Sequence, residues 1–146
     1  PRLRGLGPEP LEPAFDGAYL FHVSRGRRAP VKHLLMDGRV VAGLGNIYVN
    51  EALFRAGIHP ARPAGRISAK RLERLAEAIK DVLGDAITQG GTTLRNYVNG
   101  DGRPGWFQLR LSVYGRAGEP CPRCGTPIVR VPLGQRGTFA CRRCQR

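Results

Sequence analysis

The sequence predicts a mainly α fold, a helical module followed by a C-terminal β-hairpin finger built around cysteines. Three observations carry that prediction. Apolar residues keep a helical period from about residue 16 to residue 90. All four cysteines fall in the last third of the chain as two C-x-x-C pairs, and the residues between the pairs are β-prone. At 146 residues the chain fits one domain or two small ones. With 41% hydrophobic and 24% charged residues it fits neither disorder, collagen nor coiled coil. No run approaches the ~18 apolar residues of a membrane-spanning helix. The opening Pro1-Arg2-Leu3-Arg4-Gly5 lacks the apolar stretch of a signal peptide.

The elements follow in order. Residues 1–15, with Gly7-Pro8-Glu9-Pro10 and Pro13, predict a linker or extended entry segment. A weak helical signal covers Ala18–Val23. Val31, Leu34 and Leu35 share one helical face, and Gly38 ends that run. Gly43-Leu44-Gly45-Asn46 makes a turn before a helix over Ile47–Ala56, with Gly57 as C-cap and Pro60 blocking any continuation. Ser68 is a good N-cap for the clearest helix, in which Leu72, Leu75, Ala76, Ile79, Val82, Leu83, Ala86 and Ile87 keep the 3.6-residue period up to Gly90-Gly91. This places a helical module at 16–106, including a glycine-rich loop from about 90, and a finger at 107–146. Phe107–Tyr114 is β-prone and is expected to lead into the hairpin as a strand.

The charge is high and uneven. Lysine and arginine number 24 against 11 acids, a net +13. Residues 1–102 carry a net +5 and residues 103–146 a net +8. A chain this basic meets a polyanion, most often nucleic acid; a bias toward arginine, which makes up 21 of the 24 bases, is the competing explanation.

Cys121-Pro-Arg-Cys124 and Cys141-Arg-Arg-Cys144 stand sixteen residues apart, a spacing that fits a four-thiolate zinc site. Each pair presents two sulfurs on a tight turn, and two facing turns complete a tetrahedron. Gly125 follows the first pair, where a knuckle turn favours positive φ. Thr126–Val131 and Gly137–Ala140, separated by Pro132-Leu133-Gly134-Gln135, read as the two arms of a hairpin. Two disulfides or a redox dithiol are the alternatives. Nothing suggests secretion, and a redox motif is a single C-x-x-C beside a βαβ unit. Four protein thiolates leave no open coordination position, so one Zn²⁺ is expected in a structural role that drives folding of the finger.

Val40-Val41-Ala42-Gly43-Leu44-Gly45-Asn46-Ile47-Tyr48-Val49-Asn50-Glu51 resembles the formamidopyrimidine-DNA glycosylase family, bacterial enzymes that excise oxidised purines. Leu6–Leu11, Leu35-Met36-Asp37, Ala56–Pro60, Gly90–Arg95, Val113–Arg116 and Cys144-Gln145 extend the likeness along most of the chain. The resemblance covers only the C-terminal part of that family, whose members begin with a β-sandwich domain and a Pro-Glu start carrying the amine nucleophile. Pro1, followed by Arg2-Leu3-Arg4, is read as an accident of where the chain starts.

What the resemblance implies is a helix–two-turn–helix module followed by a zinc hairpin, the DNA-binding half of a bifunctional glycosylase and AP lyase. Lys32, Asn46 and Arg136 look like phosphate contacts; a solvated lysine, an N-cap and a hairpin-tip charge are their ordinary readings. Tyr48 and Glu51, at i and i+3 on one helix face, look like the border of the damaged-base pocket, with Glu51 in a supporting role near the nucleophile. Thr92, Thr93, Arg95 and Tyr97 look like a loop closing over an extruded base, which chemistry on a glycosidic bond requires. Ala140 stands before Cys141 where relatives often have an aromatic. The expected partners are duplex DNA carrying oxidised purines or abasic sites and an N-terminal catalytic domain. The resemblance implies a cytoplasmic, nucleoid-associated bacterial protein, monomeric and with no membrane association, and these 146 residues are expected to bind damaged DNA without excising a base. A zinc-ribbon module without catalytic history and the sister enzyme for oxidised pyrimidines are the rival readings.

Overall fold

The computed structural model describes residues 5–88 and 110–146. Its elements are α1 (Gly17–Ser24), α2 (Val31–Met36), α3 (Asn46–Ala56), a single 3-10 turn at Ala64–Arg66, α4 (Ala69–Thr88), β1 (Val129–Arg130) and β2 (Phe139–Ala140). The fold is mainly helical with one small antiparallel sheet, as the sequence predicts.

Local chemistry sets the helix boundaries. Asp16 caps α1, its carboxylate accepting from the Tyr19 amide at 2.8 Å. The Ser68 hydroxyl accepts from Arg71 N at 3.2 Å and so caps α4. Gly57 ends α3 at φ +73°, and its amide donates to the carbonyl of Phe54 at 3.0 Å; a side chain is disfavoured in that left-handed conformation. α4 packs against both α1 and α3. Its periodic residues Leu72, Leu75, Ile79 and Val82 join Leu20, Leu35, Val49, Leu53 and Ile67 in one buried core. The described part of the entry segment is packed rather than free. Gly7 N donates to Gly38 O at 2.9 Å, Ala42 N donates to Pro8 O at 2.9 Å, and Phe15 is fully buried in the helical core.

Two strand expectations need correction. β1 and β2 pair over two residues only, Val129 with Ala140 and Arg130 with Phe139. One further bond, Val131 N to Thr138 O at 2.7 Å, extends the ladder. Upstream, the backbone around Pro127 turns to the first knuckle, where Cys121 N donates to Thr126 O and Ile128 N to Glu119 O, each at 2.8 Å. The second correction is Phe107–Tyr114. Residues 107–109 lie outside the described residues, and 110–114 form no strand, with a bend at 112–113 and a turn at 114. The reason is a competing acceptor on α3, Glu51, which takes the backbone amides a ladder needs.

Among the described residues no helix is long and apolar enough to cross a membrane.

Candidate nucleic-acid interface and metal centre

Helix α3 has two working faces. Val49, Ala52, Leu53 and Ala56 point into the helical core. Asn46, Asn50 and Phe54, at i, i+4 and i+8, line the other side and meet the finger. Asn50, 1% exposed, donates from Nδ2 to Asn46 O at 3.0 Å and to Gly137 O at 3.2 Å, while its Oδ1 accepts from Phe139 N at 2.8 Å. Phe54 joins Val113, Cys121, Ile128, Phe139 and Cys141 in a second buried cluster, with Tyr114 edge-on to Phe139 at 5.3 Å.

Glu51 is buried between these contacts. Its Oε1 accepts from Ser112 N at 2.7 Å, and its Oε2 accepts from Val113 N and Tyr114 N, both at 2.9 Å. This carboxylate therefore organises the chain entering the finger. At the far end of α3, Arg123 of the first knuckle stacks on Phe54 at 4.6 Å and donates to the carbonyls of Phe54 and Arg55, where a cation favours the helix terminus. Gln145 completes the seam. Its Oε1 accepts from Cys141 N at 2.8 Å and its Nε2 donates to Ile58 O at 3.0 Å.

The other end of α3 is where positive charge collects. Lys32, only 3% exposed, donates from Nζ to Thr138 Oγ1 at 2.7 Å and to Gly137 O at 3.3 Å. Asn46 Nδ2 donates to the same Gly137 carbonyl at 3.1 Å. Three side chains thus address one oxygen, which has two lone pairs. Asn50 is pinned through its own carbonyl, so the surplus donor capacity belongs to Lys32 and Asn46. Burial, and then the neighbouring Arg136 guanidinium, hold the Lys32 ammonium below the usual lysine range. Arg136 itself is exposed on the hairpin tip, just past Gly134. The structure therefore brings Lys32, Asn46 and Arg136 together.

Tyr48 is half-buried against the helical core, which raises its phenol above the usual value. Glu51, one turn on, faces the finger. Thr92, Thr93, Arg95 and Tyr97 lie outside the described residues. Asn50, Thr138 and Arg123 were not singled out by sequence reasoning. The one available signal was Asn50, placed a single turn after Asn46.

The cysteines converge as expected. The four Sγ atoms all lie within 4.8 Å of one another, with Cys121–Cys144 at 3.8 Å and Cys124–Cys141 at 3.5 Å. A tetrahedron with Zn–S near 2.3 Å has edges of about 3.8 Å, so the donor set and its dimensions fit one zinc ion. Two knuckle amides, Arg123 N and Cys144 N, donate to the sulfurs of Cys121 and Cys141 at 3.3 and 3.4 Å. Hydrogen bonding from Thr126 lowers the Cys124 thiol to about 6, whereas burial pushes Cys144 up to about 12. Four adjacent sulfurs cannot all ionise without a cation between them. A zinc ion held by these four sulfurs would supply that charge and close the finger.

A four-cysteine finger docked along one helix of a helical module defines a class of protein, the helix–two-turn–helix proteins with a zinc finger. Residues 6–98 match the family model of the formamidopyrimidine-DNA glycosylase H2TH domain, and residues 118–146 match the zinc finger found in FPG and IleRS. The chain belongs to the formamidopyrimidine-DNA glycosylase H2TH family. It is 62% identical over 146 residues to the formamidopyrimidine-DNA glycosylase of Methylococcus capsulatus, covering 100% of this chain and 54% of that protein. The corresponding protein of Stenotrophomonas maltophilia is 59% identical with the same coverage. The chain thus spans about half the length of the curated relatives it matches. Among solved structures, the MutM (Fpg) protein of Thermus thermophilus superposes with a TM-score of 0.83 at 47% identity, over 96% of this chain and 53% of that one. A Lactococcus lactis Fpg in complex with abasic-site DNA gives 0.84 at 36% identity, over 97% and 52%.

Proposed function

We propose that these 146 residues are the DNA-gripping half of a bacterial base-excision-repair enzyme, and that they bind damaged duplex DNA without excising a base themselves. The observation that carries this reading is the cluster of Lys32, Asn46 and Arg136. Two cationic groups crowd each other beside a carbonyl that already has more donors than lone pairs, and a backbone phosphate answers both deficits at once. Asn46 also opens α3, whose first amides favour an anion. The relatives solved with lesion-containing or abasic-site DNA support the same partner.

Glu51 supports the non-catalytic part of the reading. Its carboxylate is buried with three backbone amides on its oxygens and is engaged in holding the chain that enters the finger. The whole protein, in this reading, is a bifunctional glycosylase and AP lyase for oxidised purines such as 8-oxoguanine and formamidopyrimidines. Its amine nucleophile then comes from the half of the curated relatives that this chain does not match, and attacks C1′ of the extruded nucleoside. Tyr48, with Thr92, Thr93, Arg95 and Tyr97, borders the extruded base. Structural zinc and a monomeric, cytoplasmic state complete the proposal.

The test uses the purified chain with duplexes that carry 8-oxoguanine, an abasic site or no lesion. Binding is expected to favour the abasic duplex, with no covalent adduct after borohydride. An adduct, or equal affinity for all three duplexes, would overturn the reading.

A further inference from the structure

A second basic feature lies away from that cluster, between the α1–α2 loop and the 3-10 turn. It is a recess of about 660 Å³ lined by Gly26, Arg27, Arg28, Pro63, Gly65 and Arg66. Its walls are fixed by backbone. Gly65 N donates to Arg27 O at 2.8 Å, Ala64 N donates to Ala29 O at 2.9 Å, and Pro30 and Pro63 form an isolated antiparallel bridge. Gly65 makes the approach possible, because a Cβ there would fall 2.8 Å from Arg27 O and 3.1 Å from Ser24 O.

The arginines of this region divide into two kinds. Arg25 is structural: it stacks on Phe21 at 4.0 Å and donates to the carbonyls of Phe21, Ala64 and Ile67. Arg27, Arg28 and Arg66 are exposed. Arg27 acts on Asp37 only through its charge. Among the described residues, no acceptor or carboxylate takes the guanidinium of Arg28 or Arg66. Among the described residues, no acid lines the recess.

We propose that this recess is a second backbone-phosphate site, engaging the same DNA duplex at a distance from the phosphates held by Lys32, Asn46 and Arg136. The inference rests on the DNA-binding reading above. Guanidinium forks match phosphate oxygens in a bidentate way, and a built concavity presents them without reorganisation. Position supports a shared duplex. Arg28 precedes Lys32 by four residues, a backbone reach of at most about 14 Å, which spans about four nucleotide steps at ~3.4 Å each. The two sites are therefore close enough in the chain for one duplex running past α2 to reach both.

The experiment compares the salt dependence of DNA affinity for the wild-type chain, the Arg28→Gln/Arg66→Gln variant, and a charge-matched control, Lys70→Gln/Arg74→Gln, on the exposed side of α4. Two phosphates lost should lower the slope of log K against log salt by about 1.8 on a long abasic duplex. The recess variant should match wild type on a duplex cut short around the abasic site, and the control should match it on both. Thermal melting checks that both variants fold. An unchanged slope in the recess variant, with Arg136→Gln still lowering it, would overturn the recess while leaving the DNA-binding reading intact. An equal fall in the α4 control would overturn it too, since net charge alone then explains the effect. Wild-type protein that binds no duplex would remove the functional reading and this inference with it.

Discussion

Lys32 occupies a place where its charge is a burden to the free protein. Its ammonium is buried and faces Arg136, so the folded state binds that proton less tightly than the unfolded chain does, and stability rises with pH between the lowered value and the ordinary 10.5. Its hydrogen-bond partners do not depend on it. Gly137 O keeps both asparagine donors, and Thr138 Oγ1 still donates to Arg136 O or Leu133 O. Lys32→Met therefore leaves no orphaned acceptor and removes an ill-placed charge. Melting should stay level or rise by a few degrees, while the salt slope of DNA binding falls by about 0.9. A large drop in melting temperature with an unchanged slope would show that the lysine serves the fold and not a phosphate. Of the residues that do serve the junction, Thr138 carries no signature in the sequence and Asn50 only its place one turn after Asn46. A buried amide that satisfies backbone from two elements reads like any surface asparagine until the second element is in place.

The helices were legible element by element because each has a local cause. The α4 stripe, the Ser68 cap and the Gly57 stop are written within a few residues of one another. Phe107–Tyr114 was not legible, since the amides of Ser112, Val113 and Tyr114 answer to a carboxylate more than sixty positions earlier in the chain, and β propensity describes packing context more than backbone preference. The turn after α3 shows how such a local device responds to pH. His59 Nδ1 accepts from Ala61 N at 3.0 Å, which requires an unprotonated ring nitrogen. Burial, then Arg142, hold its pKa below 6.5. The unfolded chain therefore takes up the proton first. Stability is complete above 6.5 and is lost as pH falls from there toward the folded value. Between about pH 6.5 and 5.5 the loss is at most about 1.4 kcal/mol, less for a ring with solvent contact. Asparagine keeps an acceptor but does not titrate. Urea midpoints across this window should fall for wild type and hold steady for His59→Asn; parallel curves would remove His59 as the cause.

At the scale of the molecule, two cores of unequal strength share one helix. The helical core contains large side chains from every helix and encloses Phe15, Leu35, Leu53, Ile67, Leu72 and Ile79 completely. Among the described residues, the finger's core has Phe54, Val113, Ile128 and Phe139 beside the cysteines, with Tyr114 packed against them. So small a cluster cannot offset the ordering of more than thirty residues, and the metal must supply the difference. Removal of zinc should therefore divide the molecule. The finger unfolds, Asn50 and Glu51 pass to water, and Gly137 and Arg136 are no longer held beside Lys32. The helical core has its own caps and packing and stays folded. Chelation, or Cys124→Ser, should leave most of the far-UV helical signal while weakening duplex binding by about 10-fold or more, 1.4 kcal/mol. Zinc added back to the chelated protein should restore affinity, but not to the serine variant. Loss of helix and finger in one transition would mean that α3 depends on the finger as much as the finger depends on it. Unchanged affinity without metal would locate the DNA contacts wholly on the helices and remove Arg136 from the interface.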